Sequence, residues 1–287
     1  MGPDPRAIAD ALNAWALRTD WVDWVELGGS LGRGAGDALS DVDAGIGVRD
    51  LAADASDARD PDGPDPDWPD TGAGDLGERG SGARDPRLDA IRSAITGFAP
   101  TAAVLDQRLG DLTHLICVYR DGRQLSLVVF DAAARTGLPP QSSAPVDKTG
   151  RLAEPLAPDR WDPDDRTRRE WAFLAWIALG DAARHTLRDH PWRALHALTE
   201  ARDHLWRLHA AALGLTYPAF GAVTVENAEA EPPQGIHATH PETLTAPDMR
   251  KALEALAGLL GPHTTGDLEP LAAVIRERLA LAARYRA

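Results

Sequence analysis

Asp41 and Asp43 stand two residues apart in "SDVD", shortly after the glycine-rich stretch "ELGGSLGRG" that begins at Glu26. On a strand, residues i and i+2 point to the same face. Two like charges held at about 4 Å, with an effective dielectric near 20, repel by roughly 4 kcal/mol. A fold tolerates that arrangement when a cation normally sits between the carboxylates. Hard divalent ions such as Mg²⁺ accept a few carboxylates and complete their shell with phosphate oxygens and water. The turn before the acids offers what a triphosphate requires. Its glycines let the backbone approach closely, free N–H groups at a helix start favour anions, and Ser30 adds a hydroxyl. Turn and acids together read as a metal–triphosphate site, for which two-metal chemistry is the natural mechanism.

Strands and helices must hold these groups in place. Residues 5–18 put Ile8, Leu12 and Trp15 on one helical face. "DWVDWVELGG" reads as a short strand that ends at glycines. In "DVDAGIGV", Val42, Ala44, Ile46 and Val48 point one way, while Asp41, Asp43 and Gly45 point the other. "RLDAIRSAITGF" reads as a helix, and "THLICVYRDGRQLSLVVFDAA" as a hairpin around Asp121-Gly122, a dipeptide favoured in type I′ turns. Beyond a Pro-rich connector the pattern is helical throughout. Helices are expected over 166–189 and 191–213, the latter opening at Pro191 and closing at Gly214, with two more near Pro247 and after Asp267.

The combination of Gly29-Ser30, Arg33-Gly34 and Ser40-Asp41-Val42-Asp43 resembles the signature of nucleotidyltransferases of the DNA polymerase β type. The helical C-terminal half is similar to the antibiotic-modifying, aminoglycoside branch of that superfamily. The sharp part of the resemblance covers about fifteen residues, and no Gly-Lys-Ser/Thr follows the glycines as a Walker-type loop would require. It implies an α+β fold: a nucleotidyltransferase-type mixed sheet with helices over 1–145, a linker over 146–162, and a helical bundle over 163–287. It implies that Gly29 and Ser30 hold the β- and γ-phosphates of ATP, with Arg33 and Ser40 as further nucleotide-binding positions. Asp41 and Asp43 would hold Mg²⁺.

The family usually carries a third acid on a later strand. The matching strand, "RQLSLVVFD", holds Ser126 at that place, between Leu125 and Leu127. Serine is no general base unaided, and a poor Mg²⁺ ligand beside a carboxylate. Asp131 would substitute only through a bulge, since it points opposite Ser126 on a regular strand. Asp106, on the neighbouring strand, and Glu200, in the helical half, are the other candidates. The remaining alternative is that transfer chemistry is reduced or lost.

Composition narrows the partners. The 287 residues carry a net charge of −14, and residues 50–86 alone carry eleven Asp or Glu against three Arg. That segment is rich in Asp, Pro and Gly and nearly free of aliphatics, so a disordered insertion is expected there. A basic footprint for nucleic acid is missing, and the field favours a cationic small-molecule acceptor. Apolar runs are too short for a membrane span, and the first residues lack a secretory pattern, so a cytoplasmic protein, monomer or homodimer, is expected. Cys117 is the only cysteine, which excludes an intramolecular disulfide and a cysteine-rich zinc site. The leading function is transfer of AMP from ATP to a small-molecule hydroxyl, an aminoglycoside-like antibiotic by resemblance. The rivals are a catalytically silent NTP-binding module and a protein-AMPylating enzyme.

Overall fold

The computed structural model describes residues 4–51, 85–109, 112–157 and 161–284. The acidic insertion expected at 50–86 lies almost wholly outside these residues. The chain divides into two compact units, Met1–Leu156 and Ala157–Ala287.

In the first unit, among the described residues, six strands form one mixed sheet. They are β1 (Val22–Leu27), β2 (Val42–Val48), β3 (Thr101–Leu109), β4 (Leu112–Tyr119), β5 (Gln124–Asp131) and β6 (Ser143–Asp147), in the order β3-β4-β5-β2-β1-β6. Only β2 and β5 run parallel; the other neighbours are antiparallel. One face is covered by α1 (Arg6–Arg18) and α3 (Pro86–Gly97), which bury Ile8, Leu12, Leu88, Ile91 and Ile95 against Val25, Ile46, Leu115, Leu127 and Val129. The alternation expected in β2 is present: Val42, Ala44, Ile46 and Val48 are buried in that core, while Asp43 reaches solvent.

Two local features differ from the sequence reading. The β4–β5 connection is not a type I′ turn. Tyr119 and Arg123 close a three-residue loop in which Gly122 takes φ +90°, while Asp121 accepts from the N–H and guanidinium of Arg123. A type I turn followed by a left-handed glycine needs positive φ at one position only. The Pro-rich stretch after residue 136 also contributes β6, which pairs with β1. Its alternation is too short and too polar to announce a strand, and β1 supplies the ladder that makes it one.

The second unit is helical: α4 (Asp165–Leu187), α5 (Pro191–Ala212), a short α6 (Ala222–Asn227), α7 (Ala246–Leu260) and α8 (Glu269–Arg284). Asp164 caps α4 through the Thr167 N–H at 2.8 Å. Pro191 opens α5, and Gly214, at φ +66°, follows its end, as expected for a helix stop. Trp176, Leu179, Leu198, Leu205, Leu253 and Leu256 are central to its core. The architecture is α+β, a mixed sheet with helices followed by an all-helical unit. Among the described residues no helix is long and apolar enough to cross a membrane.

Candidate functional site

The glycine-serine turn and the paired acids meet at one end of the sheet. Gly28 still belongs to the ladder, its N–H donating to Asp43 O at 2.9 Å. The chain then leaves through Gly29, which has φ +55°. A Cβ at Gly29 would lie 2.2 Å from Asp43 Oδ2, so the carboxylate sits directly over a position where only glycine fits. One helical turn, α2 (Gly29–Gly32), follows. A Cβ at Gly32 would lie 2.3 Å from Leu27 O, so a second glycine is required for the turn to fold back on β1. The Gly32 N–H donates to Gly28 O at 2.7 Å, while the first N–H groups of the turn, that of Ser30 among them, have no partner within a helix.

The loop between α2 and β2 closes on itself. Asp37 N donates to Ser40 Oγ at 2.9 Å, and Ser40 Oγ donates to Asp37 Oδ1 at 3.0 Å. Ser40, expected near the nucleotide, thus spends its hydroxyl shaping the loop. Arg6 Nη2 donates to Gly36 O at 2.7 Å and ties the loop to α1. Asp41 is exposed, immediately before β2.

Asp43 carries the electrostatic signature of the site. Its pKa is raised, first by burial and then by the charge of Asp41; His114 and Arg33 pull it back. Burial of a carboxylate and a like charge beside it both give that sign. The donor set is two carboxylates, hard oxygen ligands that suit Mg²⁺. Among the described residues no three His, Cys, Asp or Glu side chains group together to hold a metal. A Mg²⁺ ion held by Asp41 and Asp43 would need phosphate oxygens and water to complete its shell.

The remaining candidates are dispersed. Ser126 is the direct ladder partner of Asp43 on β5 and shares its face. Asp106 pairs in register with Leu115 and lies on the opposite face, bonded to Arg92 of α3. Asp131 is paired with Val48, five residues beyond Ser126 and hence roughly 16 Å along the strand. It caps a following turn through the Ala133 N–H. Glu200 belongs to the helical unit, where it faces solvent on α5 beside His196.

Two residues on the Asp43 face were missed in the sequence. His114, on β4, has Nε2 2.8 Å from Ser126 Oγ and Nδ1 3.3 Å from Gln107 Oε1. Glu26, on β1, is paired with Gly45, and a Cβ there would meet Glu26 Cγ at 2.9 Å. Glu26 is buried and lies 2.7 Å from Arg135 Nη2. Burial raises its pKa and Arg135 opposes the rise. Arg135 also covers the ring pair Trp24 and Phe130, at 5.9 and 5.0 Å. The alternation in "WVELGG" carries a signal for Glu26. His114 has none, because its link to Ser126 depends on strand register.

No protein-family model matches this sequence, and no curated protein matches it. Among solved structures, the chain is similar to an aminoglycoside 6-adenyltransferase from Bacillus subtilis, with TM-score 0.33 and 13% identity over 97% of this chain and 92% of that one. It is also similar to a nucleotidyltransferase-like protein from Exiguobacterium sibiricum 255-15, with TM-score 0.40 and 16% identity over 95% and 80% of the two chains. At these values any function must rest on the residues of the site itself.

Proposed function

We propose that this chain transfers a nucleoside monophosphate, AMP from ATP, to a hydroxyl of a small molecule, with Mg²⁺ required and pyrophosphate leaving. The observation that supports this reading is the packing of Asp43 over Gly29, which brings the glycine-serine turn against one of the two acids. Asp41 and Asp43 are the residues that would hold Mg²⁺. When bound, the metal would neutralise charge on the triphosphate and lower the pKa of the attacking oxygen. The Ser30 hydroxyl and the N–H groups of its turn would receive the β- and γ-phosphates, and Arg33 supplies positive charge near Asp43. The net charge of −14 favours a cationic acceptor, and an aminoglycoside is the first to try.

The test is transfer of label from α-phosphate-labelled ATP, with Mg²⁺, to a panel of aminoglycosides and to a metabolite extract. An Asp41→Asn/Asp43→Asn double variant runs beside it. Label in a small-molecule product with the wild type only is the expected result. Ser126 at the place of a third acid supports a second reading, a catalytically silent NTP-binding module. Bound MgATP with no labelled product in any arm would favour it.

A further inference from the structure

Ser126 stands beside Asp43, where the sequence resemblance implies a carboxylate acting as base or ligand. A lone serine does neither well. This serine is not alone. His114 Nε2 lies 2.8 Å from its Oγ, and Gln107 Oε1 lies 3.3 Å from His114 Nδ1. With the ring proton on Nδ1 and directed at the Gln107 carbonyl, Nε2 is left as the acceptor for the serine hydroxyl. A nucleophile, a base within hydrogen-bond reach and a third group orienting the base constitute the diagnostic geometry of an activated hydroxyl. All three come from adjacent strands, with Gln107 on β3, His114 on β4 and Ser126 on β5, so regular pleating holds them. Parallel pairing puts Ser126 one strand spacing, about 4.8 Å, from the Asp43 backbone, on the same face. Ser40, by contrast, bonds to Asp37, and among the described residues the serine bonded to a histidine is Ser126.

We infer that Ser126 is a nucleophile activated by His114 and that the chain attaches a nucleoside monophosphate to it. This rests on the nucleotide site proposed above. Ser126 Oγ forms a bond to the α-phosphorus of the bound nucleoside triphosphate. The bond from that phosphorus to the oxygen bridging the β-phosphate breaks, and the electron pair leaves with pyrophosphate. The hydroxyl proton passes to His114 Nε2. The product is a phosphodiester joining Ser126 to the nucleoside. His114 is the base, and Gln107 is a positioning residue that fixes its tautomer.

Two experiments on the full chain separate the nucleophile from the nucleotide. In metal-free, nucleotide-free protein, a fluorophosphonate probe should phosphonylate Ser126, with fluoride leaving, as located by peptide mass mapping. Ser126→Ala should abolish the adduct, and His114→Gln should slow its formation by roughly a hundredfold or more. With Mg²⁺ and ATP labelled at the α-phosphate, the wild type should gain one nucleotidyl group at Ser126, while γ-phosphate label stays off the protein. Bound MgATP with no adduct at Ser126 would overturn the inference and leave the proposed function standing. A probe adduct without nucleotide binding would keep the activated serine, overturn its nucleotidylation and sink the proposed function. Label on another residue, or γ-phosphate label on Ser126, would also overturn it.

Discussion

The Asp43 carboxylate lies against the α-carbon of Gly29, so close that a methyl group there would stand 2.2 Å from Oδ2. Gly29 also holds φ +55°, which costs an L-residue about 1 kcal/mol or more. Gly29→Ala is therefore expected to lower stability by about 1–2 kcal/mol and to push Asp43 out of place. Mg²⁺-dependent ATP binding, measured by titration calorimetry, should weaken at least tenfold. Unchanged binding would show that the turn and the acids do not act as one site.

Asp43 predicts a conflict between stability and function. Its pKa is raised in the folded state by burial and by Asp41, so the native fold binds a proton there more tightly than the unfolded chain does. By linkage, its ionised form costs stability above the folded pKa, and that cost disappears as pH falls to the ordinary carboxylate range. Asp43→Asn is then expected to raise the Tm at neutral pH and to lose this advantage below about pH 4. The gain should stay under about 1 kcal/mol, because solvent screens the open side of the pair. Mg²⁺ with ATP should stabilise the wild type more than the variant, as differential scanning fluorimetry can report.

Glu26 and Arg135 predict the opposite sign. Removing Arg135 leaves a buried carboxylate without its counter-charge. Arg135→Ala should cost about 3 kcal/mol at neutral pH in urea unfolding. The loss should shrink as pH falls through the raised pKa of Glu26, and Glu26→Gln in the same chain should recover part of it. Equal losses at pH 4 and pH 7 would assign the effect to the aromatic contacts of Arg135 instead.

Ser126→Asp would place a third carboxylate in register with Asp43. Like charges directly across a ladder destabilise by about 1 kcal/mol. The metal-free variant should therefore melt lower than the wild type, with the difference reversed by excess Mg²⁺. If the chain transfers nucleotide to a small molecule, this variant should do so with a lower Mg²⁺ requirement. Identical metal dependence in both proteins would place Ser126 outside the metal's reach.

Gly47 tests the packing that keeps the sheet face rigid. A Cβ there would stand 2.1 Å from Trp24 Cε2, with Phe130 beside the indole. Gly47→Ala should overpack this point and cost about 1–3 kcal/mol in chemical unfolding. A neutral substitution would mean that Trp24 can move aside.

Much of the fold was legible because period and punctuation are local. The alternation of Val42, Ala44, Ile46 and Val48, the stop at Gly214 and the start at Pro191 each depend on a few neighbouring residues. The i, i+2 spacing of Asp41 and Asp43 is local too, although β2 begins at Val42 and Asp41 precedes it. Register is not local. Whether Ser126 meets Asp43, whether Asp106 faces the site or Arg92, and whether the five residues from Ser126 to Asp131 carry the acid out of reach all follow from which strands pair and how far each is shifted. A shift of one residue would turn every side chain to the other face. β6 became a strand only because β1 offered it a ladder, and His114 became a partner of Ser126 only across two neighbouring strands. The sequence by itself determined the elements, the glycine-serine turn and the two carboxylates. Tertiary structure alone decided that Gly29 lies beneath Asp43, that Glu26 crosses Gly45 to reach Arg135, and that His114 bonds to the serine standing where a third acid was expected, because such contacts join residues that only chain folding brings together.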